Sequence, residues 1–226
     1  KVISFSKKNQ SDIKLEKIKR QKNISVVKVN IKGTSRNFKI KRNLESFPEN
    51  ILASIAVISN FFDLNNISNK FFFNYNLPPG RGDYKIIKFN KKKIHLIDES
   101  YNSNPLSLDF ALNNFNKLQS NSKRKIILLG DMLELGKFSK KLHLDAAKIV
   151  NKTNINRVYV YGKRITYTYN KIRPQKRGKI LYSSKDVSNF LKNDIKDGEY
   201  LMVKGSNSTG LNEMMKKLKL GKINAI

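Results

Sequence analysis

Seven consecutive positions carry five side chains suited to binding a nucleotide: Asp98, Glu99, Tyr101, Asn102 and Asn104. Carboxylates at the end of a strand accept hydrogen bonds from ribose hydroxyls in dinucleotide sites, and Tyr and Asn can contact the face and the edge of a purine. The alternative is structural, because Asn104 precedes a proline and can cap a helix while the other four lie in a solvated turn. The residues alone favour neither interpretation.

A second acidic segment lies further along the chain. Gly130 and Gly136 enclose Asp131 and Glu134, and His143 follows shortly afterwards. Glycines beside acidic residues allow the backbone to approach a substrate closely. Without other support such a segment is more often a plain turn, and a lone histidine near a carboxylate is more often a packing or surface residue than a catalytic one.

Two cationic positions are suited to holding an anion. Lys204 and Ser206 end an apolar run and precede a helical pattern, so backbone N–H groups and the ammonium group could bind a phosphate there. Arg81 stands between two glycines, which gives its guanidinium a flexible support for bidentate phosphate binding, although a hinge with one surface arginine is the plainer interpretation. The P-loop pattern GxxxxGK[ST] occurs nowhere in these residues, which bears on any ATP-dependent function.

These side chains follow short apolar strands that alternate with helical patterns. The alternation predicts an α/β fold with a mainly parallel sheet and helices on both faces, in which ligands bind beyond the carboxyl ends of the strands. Asp98, Gly130, Tyr161 and Lys204 stand at such ends, so we expect any site at that edge. The predicted strands are 93–98, 125–130, 157–162, 179–183 and 200–205, and the predicted helices are 105–118, 139–150, 184–192 and 209–219.

The first part of the chain has a different pattern. Residues 25–41 alternate apolar and polar side chains around a glycine-containing turn, which predicts a β-hairpin at a sheet edge. Pro48 opens a helical pattern, and a second short helix is predicted after Asn66. The segment 77–82 is stiff at its start and permissive at its end, so we place an interdomain hinge and the domain boundary there. The apolar face of the Pro48 helix is predicted to contain Ile51, Leu52, Ile55, Ala56, Ser59 and Phe62.

Composition narrows the class of protein. The 226 residues contain no cysteine, which excludes a disulfide framework, a zinc ribbon and a thiol nucleophile, and a hydrophobic content of 39% is enough for a packed core. No apolar run approaches the ~18 residues needed to span a bilayer, and the first residues lack the apolar stretch of a secretory signal. We therefore expect a soluble, cytoplasmic protein. Because the sequence begins with Lys1 rather than Met, we expect it to be part of a longer protein.

The charge is strongly positive. A total of 46 Lys and Arg against 17 Asp and Glu gives a formal net charge of +29, which attracts polyanions such as nucleic acid. The lysines are spread along the whole chain, and no RNP, KH, zinc-finger or basic-zipper signature accompanies them. We favour solvated surface lysines and do not expect nucleic acid as a partner; a basic module that binds nucleic acid nonspecifically remains the alternative function.

Four motifs taken in order resemble the Mur ligases of peptidoglycan synthesis, and among them the MurF branch. They are PPGRG around Arg81, DESYNSNP from Asp98, LLGDMLELG followed by His143, and VKGSN at Lys204 followed by Glu213. Several ordered motifs over about 130 residues are far more specific than any one alone.

The resemblance implies a fold, a reaction and a set of partners. Residues 1–78 would be the tail of a central P-loop ATPase domain, and 79–226 the complete Rossmann-like C-terminal domain. The family joins D-alanyl-D-alanine to UDP-N-acetylmuramoyl-tripeptide through an acyl phosphate, with ATP and Mg²⁺. The P-loop and the Mg²⁺ ligands would lie upstream, so we assign no metal ligand in this chain. We expect a monomer.

Site residues carried over by the resemblance fall into two groups. Arg81, the catalytic candidate, would reach the ATP phosphates, and Asp98 or Glu99 the ribose. Those expected near the base and ribose are Tyr101, Asn102, Asn104 and Asn50, and those expected where the tripeptide end and the dipeptide meet are Asp131, His143, Lys204 and Ser206.

Three positions depart from the family pattern. The family's HNxxN stretch reads Ser46-Phe47-Pro48-Glu49-Asn50 and keeps only its last Asn, the residue expected to contact adenine. The family's KGSR reads KGSN with Asn207, and the second carboxylate of its DD pair is Glu99. None of these changes is expected to remove the fold.

Overall fold

A computed structural model describes residues 2–21, 24–41, 44–45 and 48–221. The chain divides into two compact units, Lys1–Leu77 and Pro78–Ile226. Each unit buries an apolar core of its own.

The first unit contains a four-stranded sheet in the order β1-β2-β3-β4. The predicted hairpin is confirmed, because β3 and β4 pair in antiparallel register around Lys32 and Gly33, both with positive φ. The sheet also contains β2, antiparallel to β3, and the short parallel strand β1, neither of which the sequence analysis predicted. The strands are β1 Phe5–Ser6, β2 Ile13–Arg20, β3 Ile24–Ile31 and β4 Thr34–Lys41.

Helix α1, Pro48–Ile58, starts where the sequence predicts but ends before its predicted face is complete. The side chains of Ser59 and Asn60 donate hydrogen bonds to the Ala56 carbonyl, and such local bonds compete with continuation of a helix. The inclusion of Phe62 in the buried face was therefore wrong, since Phe62 lies beyond the helix and is exposed. The buried residues of α1 are Pro48, Ile51, Leu52, Ile55 and Ala56.

The short helix predicted after Asn66 was also placed wrongly. A single 3₁₀ turn occupies Leu64–Asn66 instead, and the Asp63 side chain accepts a hydrogen bond from the Asn65 N–H at its start. The Ile67 N–H donates to the Leu64 carbonyl and closes this turn. The Asp63 cap fixes the start of this turn, so the turn precedes the predicted position.

The second unit confirms the predicted α/β class. Its six-stranded sheet has the order β5-β6-β10-β7-β8-β9, with every pair parallel except β5 with β6. The antiparallel edge strand β5 was not predicted. The strands are β5 Asp83–Phe89, β6 Lys92–Glu99, β7 Lys125–Gly130, β8 Arg157–Tyr161, β9 Arg177–Leu181 and β10 Tyr200–Lys204.

Helices cover both faces of this sheet. On one face α5 and α6 pack their apolar side chains against the strands, and on the other α2 and α3 do so. Capping boxes begin α2 and α5, with Asn104 and Ser183 as the capping residues. The helices are α2 Pro105–Lys117, α3 Ser139–Asn151, α4 Thr166–Tyr169, α5 Ser184–Asn193 and α6 Leu211–Lys219.

The helices are short. Within the described ranges the longest, α2 and α3, have 13 residues each. Among the described residues, none of the helices has the length and apolar character needed to cross a bilayer.

The central position of β10 fixes the functional edge. Lys204, its last residue, lies in register with Glu99 of β6 on one side and Leu129 of β7 on the other. Gly130 in turn lies in register with Tyr161 of β8. The carboxyl ends of four parallel strands therefore meet at one edge, as the sequence predicts.

Core packing on the α2 face is testable with two leucines of one helix. Leu112→Ala removes a fully buried side chain, and we expect it to lower the free energy of unfolding by about 2–5 kcal/mol. Leu106→Ala is the matched control, because Leu106 is exposed and its loss should change stability by about 0.5 kcal/mol or less. Urea unfolding followed by circular dichroism measures both, and equal effects would contradict the described packing.

Candidate active site at the strand ends

The loop that carries Arg81 is held by backbone and carboxylate contacts. The Gly80 N–H donates to Asp83 Oδ1 at 2.6 Å, and the Gly82 N–H donates to the Asp98 carbonyl at 2.7 Å. Gly80 has φ +80°, and a Cβ on it would lie 3.0 Å from the Tyr101 nitrogen. A side chain at position 80 would therefore be strained.

Arg81 lies against Tyr101. Its guanidinium carbon is 4.3 Å from the centroid of the Tyr101 ring, within the range of a cation–π contact. Both side chains are exposed, so the guanidinium keeps donors for a ligand. The strand-end tyrosine thus orients the cation predicted to bind phosphate.

The two asparagines of this loop have different local roles. Asn104 Oδ1 accepts a hydrogen bond from the Ser107 N–H at 2.8 Å, which is the helix-capping role considered from the sequence. Asn102 is exposed, and its backbone carbonyl accepts a hydrogen bond from Lys204 Nζ at 2.9 Å. Capping restricts Asn104, whereas the Asn102 side chain lies at the surface of the edge.

Asp98 has a structural role. It is 2% exposed, its Oδ1 accepts from the Ser100 N–H at 3.0 Å and from the Ser100 hydroxyl, and its Oδ2 accepts from Lys219 Nζ. Both oxygens are engaged inside the protein. Of the two carboxylates considered for a ribose, Glu99 is therefore the more accessible one.

Glu99 forms a pair of opposite charge with the buried Lys204. Glu99 Oε2 lies 3.8 Å from Lys204 Nζ, and the two side chains are 19% and 1% exposed. Burial raises the pKa of Glu99, and the nearby Lys204 ammonium partly offsets this rise. Burial likewise lowers the pKa of Lys204, with Glu99 opposing the fall. The partly accessible Glu99 is thus a carboxylate whose charge depends on its neighbours.

A further lysine joins two strands at this edge. Lys219 Nζ, at the end of α6, donates to both Asp83 and Asp98. Burial lowers the pKa of Lys219, but its bonds to the two carboxylates outweigh that effect and the net shift is upward. Neither Lys219 nor Asp83 was identified from the sequence, because a lysine near the end of a basic helix resembles any surface lysine.

Asp131 and Ser206 link the ends of β7 and β10. The Ser206 N–H donates to the Asp131 carbonyl at 3.0 Å, and the Ser206 hydroxyl accepts from the Leu133 N–H at 2.9 Å. Asp131 Oδ1 accepts from the Ile165 N–H at 2.7 Å. Gly162 has φ +125°, and a Cβ there would lie 2.6 Å from the Asp131 carboxylate, so this strand end requires glycine.

His143 is fully buried and positions the adjacent loop. Its Nε2 accepts a hydrogen bond from the Met132 N–H at 3.1 Å, and its Nδ1 donates to the Ser139 carbonyl at 2.8 Å. With both nitrogens engaged inside the protein, His143 has no group left to contact a substrate in this conformation. The contacts of His143 are those of the packing role that was weighed from the sequence.

Asn50 lies in the first unit, on the exposed side of α1. It lines an apolar pocket of about 600 Å³ together with Val57, Phe71, Tyr75 and Leu77. A carboxamide at the rim of an aromatic-lined pocket suits a planar heterocycle. The departures noted at Ser46 and Phe47 lie outside the described residues.

Metal ligands are not gathered at this edge. Within the part of the chain that the structure describes, no group of three or more His, Cys, Asp or Glu side chains is placed to hold a metal ion. The carboxylates Asp83 and Asp98 are instead paired with Lys219.

Comparison with protein families gives one match at this unit. Residues 85–207 match the model of the family described as Mur ligase, glutamate ligase domain. The match contains the strand ends with Glu99, Asp131 and Lys204, and the loop with Arg81 lies just before it.

Curated relatives share part of their length with the chain. A UDP-N-acetylmuramoyl-tripeptide--D-alanyl-D-alanine ligase from Bacillus subtilis is 27% identical over 128 residues, which is 55% of this chain and 28% of that protein. The protein of the same name from Buchnera aphidicola subsp. Baizongia pistaciae is 31% identical over 147 residues, 63% of this chain and 30% of that protein. The chain therefore matches less than a third of the length of these relatives.

Solved structures show the same fold over nearly the whole chain. MurF ligase from Thermotoga maritima, in complex with ADP, has a TM-score of 0.75 at 17% identity, covering 99% of this chain and 49% of that one. MurF from Acinetobacter baumannii has a TM-score of 0.76 at 19% identity, covering 96% and 47%. The chain spans about half the length of these proteins.

The coupling of Glu99 and Lys204 is testable by NMR titration. In Glu99→Gln we expect the pKa of Lys204 to fall further, because the carboxylate opposes the effect of burial. In Lys204→Met we expect the pKa of Glu99 to rise further for the corresponding reason. Glu213→Gln is the control, since Glu213 is exposed and pairs with Lys216. An unchanged Lys204 titration in Glu99→Gln would contradict the described pair.

Proposed function

This chain belongs to the Mur ligase family, and we propose that it is the C-terminal portion of an ATP-dependent, ADP-forming ligase that joins D-alanyl-D-alanine to UDP-N-acetylmuramoyl-tripeptide. The observation that carries the proposal is the edge itself, where an exposed Arg81, a partly accessible Glu99 and Tyr101 lie together at the ends of parallel strands. The names of the curated relatives support this substrate pair.

We propose that the two units correspond to two parts of the family's architecture. Residues 1–78 would be the tail of the central ATPase domain, and 79–226 the C-terminal domain. The lengths of the solved neighbours support the first assignment, because about half of each lies outside the match. The absence of GxxxxGK[ST] from the 226 residues agrees with phosphate cradling by another part of the protein.

The proposed reaction has two steps. The γ-phosphoryl group passes from ATP to the terminal carboxylate of the tripeptide, which gives ADP and an acyl phosphate. The amine of D-alanyl-D-alanine then attacks the acyl carbon, inorganic phosphate leaves, and a peptide bond forms. Positioning and charge stabilisation account for much of the catalysis in phosphoryl transfer. Mg²⁺ would neutralise phosphate charge when bound, and the described residues supply no ligand set for it.

In this scheme the nucleotide contacts come from the exposed groups of the edge. Arg81 would bind phosphate oxygens through its guanidinium, held by the Tyr101 ring. Glu99 would accept from a ribose hydroxyl, and Tyr101 and Asn102 would lie near the base. Asn50 would contact adenine, and the pocket that it lines in the first unit supports this role.

Four residues are expected where the tripeptide end and the dipeptide meet, and most of them lie below the surface. Lys204, Ser206 and His143 are buried, so their proposed role is to fix the loops rather than to touch the substrate. Lys204 does so by donating to the Asn102 carbonyl. Asp131 is only partly buried and remains the proposed direct contact on that side. Asn207, where the family has Arg, is exposed.

UDP-linked substrates place the proposed reaction in the cytoplasm. We propose that the protein acts there as a monomer. Gel filtration at several protein concentrations tests the proposed monomeric state.

The role of Arg81 is testable by calorimetric titration with ADP. We expect weak binding by the chain and about a tenfold rise in Kd for Arg81→Ala, or about 1.4 kcal/mol, because a charge-assisted bond to phosphate is lost. Arg173→Ala is the control. Arg173 is also an exposed arginine, but it lies before the amino end of β9, away from the carboxyl ends of the strands where Arg81 is placed. Equal weakening in both variants would show that only general charge is sensed.

The alternative function, nonspecific binding of nucleic acid through the lysines, makes a different prediction. Its affinity for a DNA duplex would fall steeply with salt through counterion release, and D-alanyl-D-alanine would have no effect.

The proposed ligase role predicts no ligase turnover by this chain alone in the presence of ATP, Mg²⁺, the UDP-tripeptide and D-alanyl-D-alanine. Product formation by the isolated chain would contradict the proposed division of labour.

A further inference from the structure

The strands β5 and β6 place two carboxylates directly opposite each other. Asp83 lies in antiparallel register with Asp98, and both side chains reach Lys219 Nζ. Like charges directly opposite each other on neighbouring strands are destabilising. Because Asp98 is 2% exposed, solvent does little to screen this repulsion. The Lys219 ammonium lies between the two carboxylates and offsets their repulsion.

The same two aspartates hold the loop of Arg81. Asp83 Oδ1 accepts from the Gly80 N–H, and the Asp98 backbone carbonyl accepts from the Gly82 N–H. Arg81 thus lies between two glycines whose N–H groups donate to Asp83 and Asp98, the two residues that Lys219 contacts. Any outward movement of Asp83 would release the Gly80 N–H and loosen the loop at its first glycine.

We propose that Lys219 is a positioning residue for Arg81, acting through Asp83 and Asp98 from the end of helix α6. The consequence for ligand binding rests on the proposed role of Arg81 toward nucleotide phosphates. The effect on the loop stands on the contacts alone.

Another lysine of the same helix provides the contrast. Lys216 lies one turn earlier and pairs with Glu213 at the surface, where both side chains are more than half exposed. An exposed i,i+3 pair contributes little, whereas a partner removed from a buried carboxylate leaves an uncompensated charge. Lys216→Met therefore removes the same type of side chain from the same helix without touching the strand ends.

Hydrogen exchange of two amides tests the proposal directly. In Lys219→Met we expect the protection of the Gly80 and Gly82 amides to fall about tenfold or more, while that of Leu128 in β7 changes far less. Lys216→Met should leave all three unchanged. Lys219→Arg should retain protection, because a guanidinium fork can bond to both carboxylates. Unchanged exchange at Gly80 and Gly82 in Lys219→Met would overturn the proposal.

A double variant separates loop positioning from a general loss of stability. In Asp83→Asn with Lys219→Met, the carboxamide oxygen can still accept from the Gly80 N–H and no longer repels Asp98. We expect protection of Gly80 to return. Failure of this rescue in a folded double variant would overturn the mechanism. If Lys219→Met does not fold, Lys219→Gln is used instead, because it keeps a donor group. We again expect the protection of the Gly80 and Gly82 amides to fall.

An ADP titration of the same variants connects the loop to the proposed function. We expect Lys219→Met to raise the Kd for ADP about as much as Arg81→Ala does, and Lys219→Arg to restore it. Loss of loop protection without any ADP binding by the unsubstituted chain would support the positioning role and count against the proposed function. ADP binding by the unsubstituted chain, together with unchanged loop protection in Lys219→Met, would support the proposed function and count against the positioning role.

Discussion

The in-register pairing of β10 between β6 and β7 is the constraint on which the rest of the edge depends. It sets Lys204 beside Glu99 and brings the ends of four parallel strands to one edge. Lys204 then fixes the Asn102 carbonyl, and Ser206 fixes the backbone of Asp131 and Leu133. A register shift of one residue in β10 would turn Lys204 to the opposite face of the sheet and dismantle these contacts together. The arrangement of buried groups serves to present the exposed Arg81, Tyr101 and part of Glu99.

The large positive charge has a structural use in this molecule. Carboxylates are few, and several lysines donate to backbone carbonyls at helix ends instead. Lys92 Nζ bonds to the carbonyls of Lys192 and Ile195 at the end of α5, and Lys125 Nζ bonds to that of Asn116 near the end of α2. Such bonds satisfy carbonyls that lack intrahelical donors. Part of the charge that suggested polyanion binding is therefore engaged within the fold.

Sequence patterns predicted the elements with strong periodicity and missed those whose evidence is tertiary. The parallel strands and the helices α2, α3, α5 and α6 follow from apolar spacing, and their order predicts the edge. The edge strand β5 has a weak pattern, since most of its side chains are exposed, and it is held by its pairing with β6. For the site, the spacing could show that Asp98 and Glu99 are adjacent, but not which one is buried. Asp98 alternates with the buried Ile94 and Leu96 along β6, and its counter-charge comes from Lys219, 121 positions away in sequence, which reaches it only after α6 packs.

This edge, rather than the lysine-rich surface as a whole, is the proposed binding site for a nucleotide. An NMR titration of the ¹⁵N-labelled chain with ADP tests it most directly, because each backbone amide reports its own surroundings. We expect shifts at residues 80–82 and 99–104, with the strand β9 and its Lys179 unchanged. Shifts spread over lysines throughout the chain, or absent from 80–82 at saturating ADP, would contradict it.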